Sequence, residues 1–115
     1  MVDEDCIFCK MGRGEVEVEK VFDDGTAFGI NDINPKAPTH ILLIPYAHVT
    51  ALAEAGDSGV AAAAHCLSVA PSVAQSAGIA GPGYRLVVNQ GPDSGQEVPH
   101  FHMHVLGGRP LGSMG

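Results

Sequence analysis

His100-Phe101-His102-Met103-His104-Val105-Leu106 alternates imidazoles with apolar side chains without a break. In an extended strand successive side chains point to opposite faces, so His100, His102 and His104 share one face. Phe101, Met103 and Val105 share the other, which is uniformly apolar and suited to a core. This period-2 pattern predicts a strand over 100–106 rather than a helix. Three imidazoles in a row do nothing for packing, because each carries ring nitrogens that burial leaves to be satisfied. The pattern points to a site.

Two chemistries could use that face. Neutral imidazole is a common zinc ligand, but one ion cannot take all three rings. At a rise of about 3.3 Å per residue, His100 and His104 start roughly 13 Å apart. Alternatively, a central imidazole facing a phosphate attacks phosphorus and splits one difficult displacement into two easier ones. The nucleophilic reading fits the spacing better, and a zinc site that borrows only His100 is compatible with it.

The rest of the chain bounds what such a site can serve. At 115 residues, 45% apolar and 17% charged, it reads as one soluble globular domain with a single core. A formal charge of −7 with only six Lys and Arg argues against a sequence-independent grip on a nucleic-acid backbone. No apolar run reaches the roughly 20 residues needed to span a bilayer, so no membrane partner is expected. Asp3, Glu4 and Asp5 at the start lack the basic flank and apolar core of a signal peptide. Three Cys is an odd number, which argues against a disulfide framework and for a reducing, cytoplasmic setting.

Near the start of the chain, Ile7, Phe8 and Met11 sit at helical spacing in Cys6-Ile7-Phe8-Cys9-Lys10-Met11, and Gly12 and Gly14 end that short helix. On their own these apolar residues read as a core plug. Val16 to Val21 and Ala27 to Ile30 flank the turn Asp23-Asp24-Gly25 and read as a hairpin. Asn31-Asp32-Ile33-Asn34-Pro35 breaks the second strand, and Asp32 alone reads equally well as an Asx-turn carboxylate. His40 to Pro45 is a central strand, its four large apolar residues implying burial on both faces. His48 follows in a loop. Asp57-Ser58 caps an Ala-rich helix predicted over about 58–78, with Pro71 expected to kink it or break it near Ala70. His65 and Cys66 read as structural. Tyr84 to Val88 is a strand closed by Asn89, and Gly91 to Gly95 is a turn-rich loop whose Gly95 lets backbone amides approach an anion. The sum is an α+β fold: an antiparallel sheet of about five strands, a short N-terminal helix and one longer helix.

The segments CIFCK, AFGINDINPKAPTHILLIPYAHV, GYRLVVNQG and GQEVPHFHMHVLGGRPLG occur in this order, and together they resemble the nucleotide-binding branch of the histidine triad superfamily of nucleotide hydrolases and transferases. The likeness spans almost the whole chain and is least specific over residues 51–82. It implies that Ile7, Phe8 and Met11 line a purine-base pocket. Asp32 would accept from ribose hydroxyls, with Asn31 and Ile33 in the same substrate-binding loop. Asn89, Gly95 and Gln96 would serve the phosphate region, and Glu97 stands where some relatives have Ser. His102 would be the nucleophile on the α-phosphorus, His104 a donor to a non-bridging oxygen, and His100 the third member of the triad.

The resemblance also implies a homodimer through the long helix and an edge strand, and tails after Gly108 that touch the partner's site. Substrates would be AMP-like, and by extension GMP-like, 5′-phosphoramidates or acyl-adenylates. No cofactor is needed for that step. Cys6-x-x-Cys9 has the spacing of half a zinc site, which His48 and His100 would complete as a structural Cys₂His₂ centre. A dinucleoside polyphosphate hydrolase, or a nucleotide-binding signalling module with little turnover, are the alternatives.

Overall fold

The structure is a computed structural model that describes residues 5–115; Asp3 and Glu4 of the acidic start lie outside them. Among these residues five strands form one antiparallel sheet: β1 (Lys20–Asp23), β2 (Ala27–Asn31), β3 (Thr39–Pro45), β4 (Tyr84–Val88) and β5 (Met103–Gly107). Their order across the sheet is β1-β2-β3-β5-β4. Helix α2 (Gly56–Ser76) covers one face, and the short helix α1 (Ile7–Gly12) lies over the other.

Alternation sorts the core into these two layers. Ile41 and Leu43 of β3, with Met103 and Val105 of β5, pack under Ala63, Cys66, Ala70, Val73 and Ala74 of α2. Leu42 and Ile44 point the other way, joining Phe28, Ile30, Phe8, Cys6 and Cys9. The run Ile41 to Ile44 is thus buried on both faces, as four consecutive large apolar residues require.

Three boundaries differ from the sequence reading, each for a local reason. β5 begins at Met103 and not at His100. Its partner β3 ends at Pro45, and the backbone before Met103 bonds elsewhere: His100 N donates to Val98 O and Phe101 N to Val49 O. The first strand starts at Lys20 and not at Val16, because the amides of Glu15 and Val16 are drawn onto the carbonyl of Lys10 at the end of α1. A bulge at Val21 then separates the pairs Lys20–Ile30 and Phe22–Gly29, leaving Val21 exposed. Finally, α2 starts at Gly56 with no side-chain cap and runs through Pro71 without a break. Pro71 lies on the outer face, and the carbonyl it deprives of a donor belongs to Leu67, a residue 55% exposed and open to water.

Candidate active site

Strand β5 and the segment before it turn His102 and His104 to the face away from α2. Their ring centroids lie 5.1 Å apart, and Phe8 from α1 packs edge-on against His102 at 5.1 Å. Hydrogen bonds fix the tautomers of these rings. The Nδ1 of His102 lies 2.8 Å from the carbonyl oxygen of His100. A carbonyl can only accept, so in the neutral ring Nδ1 carries the proton and Nε2 keeps its lone pair. That is the form a nucleophile needs.

His104 is set by a residue the sequence reading passed over. His40 Nε2 lies 2.8 Å from His104 Nδ1, while His40 Nδ1 accepts the amide N–H of Lys36 at 3.0 Å. A neutral His40 therefore carries its proton at Nε2 and donates it to His104, which keeps its own proton at Nε2. Burial lowers the pKa of His40 against the pull of Asp32. Burial also holds His104 down to about 4, with His102 and His40 adding to the effect. Both rings are neutral at pH 7.

A cavity of about 350 Å³ opens over these rings, lined among others by Phe8, Asp32, His40, His102 and His104. Asn89, Gly95 and Glu97 also line it. Asp32 sits beside His40, its amide donating to the His40 carbonyl. Its Oδ1 accepts from Asn34 N at 2.8 Å, the Asx turn, while Oδ2 lies 3.4 Å from His40 Nε2. Other expected substrate residues fall outside the cavity lining. Ile33 is fully exposed, Ile7 is partly exposed, and Met11 packs against the core under α1. Asn31 lines a separate groove on the α2 side, because strand alternation turns it away from Asp32. Gln96 braces its own loop: Oε1 accepts from Gly91 N, and Nε2 donates to Val98 O.

His100 faces a different cluster. It is fully buried, and its Nδ1 lies 3.3 Å from Cys6 Sγ, 3.6 Å from Cys9 Sγ and 3.1 Å from His48 Nδ1. Cys9 Sγ is 3.3 Å from His48 Nδ1, and all four ligand atoms lie within 4.8 Å of one another. Tetrahedral zinc, with bonds of about 2.3 Å to sulfur and 2.0 Å to nitrogen, has edges of about 3.5 Å (N to S) and 3.3 Å (N to N). The donor set fits zinc. The remaining nitrogens are held as such a site requires, His100 Nε2 donating to the Pro45 carbonyl at 2.9 Å and His48 Nε2 lying 3.1 Å from Thr50 Oγ1. Burial raises the Cys6 thiol above its ordinary range, a cost that a bound divalent cation offsets by favouring thiolate.

A family model described as the HIT domain, for histidine triad, matches residues 13–111. The chain belongs to the histidine triad family. It is 42% identical over 111 residues to a purine nucleoside phosphoramidase of Escherichia coli strain K12, covering 96% of this chain and 93% of that protein. A HIT family hydrolase from Clostridium thermocellum superposes with a TM-score of 0.90 at 38% identity, covering 98% of each chain. A zinc-bound histidine triad family protein from Mycobacterium smegmatis superposes at 0.76 with 28% identity, over 91% of this chain and 76% of that one. The chain is accordingly a histidine triad hydrolase whose Cys/His cluster can hold zinc.

Within this histidine triad site, His40 is the main residue the sequence reading missed. The signal was a lone imidazole opening an apolar strand, in step with Leu42. Its meaning depended on register: β3 pairs with β5 so that His40 lies opposite Leu106 and Leu42 opposite His104. That places His40 diagonally beside His104 on one face.

Proposed function

We propose that this chain hydrolyses purine nucleoside 5′-phosphoramidates and acyl-adenylates through a nucleotidyl-histidine on His102, releasing the nucleoside monophosphate. The observation that carries the reading is the His102 tautomer, with Nδ1–H spent on the His100 carbonyl and the Nε2 lone pair left for the cavity. Attack of Nε2 on the α-phosphorus forms the N–P bond as the bond to the leaving group breaks, an amine taking up a proton from water as it departs. His104 Nε2–H donates to a non-bridging oxygen as charge develops there. Water then displaces the imidazole and regenerates His102. The E. coli relative's name supports the phosphoramidate as substrate class.

The sugar and base belong beside the triad in the same cavity, with Asp32 taking ribose hydroxyls and Phe8 against the purine. Asn89 and the amides about Gly95 serve the phosphate. Gly95 has φ +87°, a conformation that favours glycine. The cavity lining includes Asp32 and Glu97 beside Lys36, so it is no strongly basic pocket, and neutral donors must hold the phosphate. Zinc in the Cys6, Cys9, His48 and His100 cluster would be structural, tying α1 to the segment that enters β5. His100 is then a ligand and a carbonyl acceptor for His102, not a phosphate contact. Purine nucleotides, AMP and by extension GMP, are the binding partners.

A homodimer is part of the same reading. Val60 and Leu67 are 48% and 55% exposed on a helix with no Asp, Glu, Lys or Arg after Asp57, and among the described residues β4 is an edge strand paired only with β5.

The test is single-turnover mass spectrometry with adenosine 5′-phosphoramidate, quenched within milliseconds. The wild type is expected to show an adenylate adduct on the peptide holding His102, and His102→Ala to show none. Hydrolysis by the wild type with no adduct at any quench time would replace the covalent path by direct attack of water. Binding without hydrolysis would make the chain a nucleotide-binding module.

A further inference from the structure

His40 holds one proton between two acceptors. Its Nδ1 is occupied by the Lys36 amide, so the only ring proton of neutral His40 is on Nε2. That proton faces His104 Nδ1 at 2.8 Å and Asp32 Oδ2 at 3.4 Å. One N–H cannot serve both well. The other Asp32 oxygen already accepts from Asn34, so Oδ2 is the atom left for a ligand hydroxyl.

We infer that Asp32 and His40 couple the sugar end of the cavity to the phosphate end: ribose hydroxyls on Asp32 Oδ2 turn the His40 proton fully onto His104 Nδ1, which holds the His104 proton at Nε2, aimed at the phosphate. This rests on the preceding reading that the substrate is a nucleoside 5′-phosphate derivative whose ribose meets Asp32. With no hydroxyl donor, the carboxylate at 3.4 Å competes for the His40 proton and weakens the bond to His104 Nδ1 that fixes its tautomer. No proton is gained or lost by the pair; only its position changes. His40 is a positioning residue in this scheme, and the sugar acts on rate as well as on affinity.

The experiment has two arms. In the first, steady-state constants are compared for adenosine 5′-phosphoramidate and its 2′,3′-dideoxy analogue, with wild type and His40→Gln. The wild type is expected to lose about tenfold or more in kcat with the dideoxy substrate, beyond any rise in KM, as removal of a preorganised donor does. His40→Gln is expected to be slow with both substrates, with the kcat difference between them largely gone, a non-additivity that a purely structural residue does not produce. A rise in KM at constant kcat would overturn the coupling while leaving the ribose on Asp32. No change in either constant would remove the ribose from Asp32 and the coupling with it.

The second arm needs no turnover and no variant. Ring ¹⁵N shifts of His104 are recorded with AMP and with 2′,3′-dideoxy-AMP, both at saturation. The Nε2–H tautomer is expected to be populated more fully with AMP than with the dideoxy nucleotide. Identical His104 shifts in the two complexes would overturn the inference, whatever the kinetics of the phosphoramidate.

Discussion

Asp24 joins two elements through one carboxylate. Its Oδ1 accepts the amides of Thr26 and Ala27, closing the β1–β2 turn, and its Oδ2 lies 2.6 Å from His65 Nε2 on α2. The amide of Ala27, then His65, hold the Asp24 carboxyl at about 2, below its ordinary 3.8. Because the folded state binds this proton less readily than the unfolded chain does, its contribution is complete above about pH 4 and fades as the pH falls toward 2. Asp24→Asn should flatten the acid limb of stability in that window, and denaturant melts of both proteins from pH 5 to 2 measure it. Parallel acid limbs would show that the carboxylate contributes nothing there. The sequence marked Asp24 as a turn residue and His65 as structural, but not that they meet, since their contact spans two elements brought together only by packing. The same limit separates His102 and His104 from His40. The first two are legible from a local period, whereas the third needs the register of β3 on β5. Cys66 was legible as structural: it is fully buried on the inner face of α2, and burial pushes its thiol up to about 12.

At the scale of elements, β4 falls on the residues expected of it, Tyr84 to Val88, because strand and loop signals agree there. The long helix departs from expectation at Pro71. A proline inside a helix removes one N–H and crowds the preceding turn, at roughly 3 kcal/mol. The helix persists because its inner stripe, Ala63, Cys66, Ala70, Val73 and Ala74, is buried on both sides of the proline. Propensity acts locally, whereas packing is spread over about three turns, and packing wins. Pro71→Ala restores a donor to the Leu67 carbonyl but loosens the unfolded chain by up to about 1 kcal/mol, and hydration of that carbonyl already lowers the cost. The net expectation is a gain of about 1–2 kcal/mol, read as a higher urea midpoint at unchanged slope. A midpoint that stays or falls would mean that the ring itself fills a useful contact.

For the whole molecule the decisive question is how α1 is held on the sheet. It is a six-residue helix, too short to persist unaided, and it carries Phe8, which packs on His102 and lines the cavity. Apolar contacts to Phe28, Ile30, Leu42 and Ile44 supply part of the hold. The rest falls to Cys6 and Cys9, which meet His100 just before β5 and His48 from the loop after β3. Three segments far apart in sequence thus converge on four donor atoms, an arrangement that CxxC spacing announces only by half. Bound zinc adds stability by mass action, about 2.7 kcal/mol when free metal stands at one hundred times its dissociation constant. Protein purified with zinc is therefore expected to carry one ion per chain and to lose several degrees of Tm on chelation. Cys9→Ser should carry none and melt at the chelated temperature, while Cys66→Ser keeps its metal. Because α1 carries Phe8, the metal-free protein should also bind AMP more weakly, which titration calorimetry before and after chelation measures. Full metal content in Cys9→Ser would place the ion elsewhere, and unchanged AMP affinity after chelation would show that apolar packing alone holds Phe8 against His102.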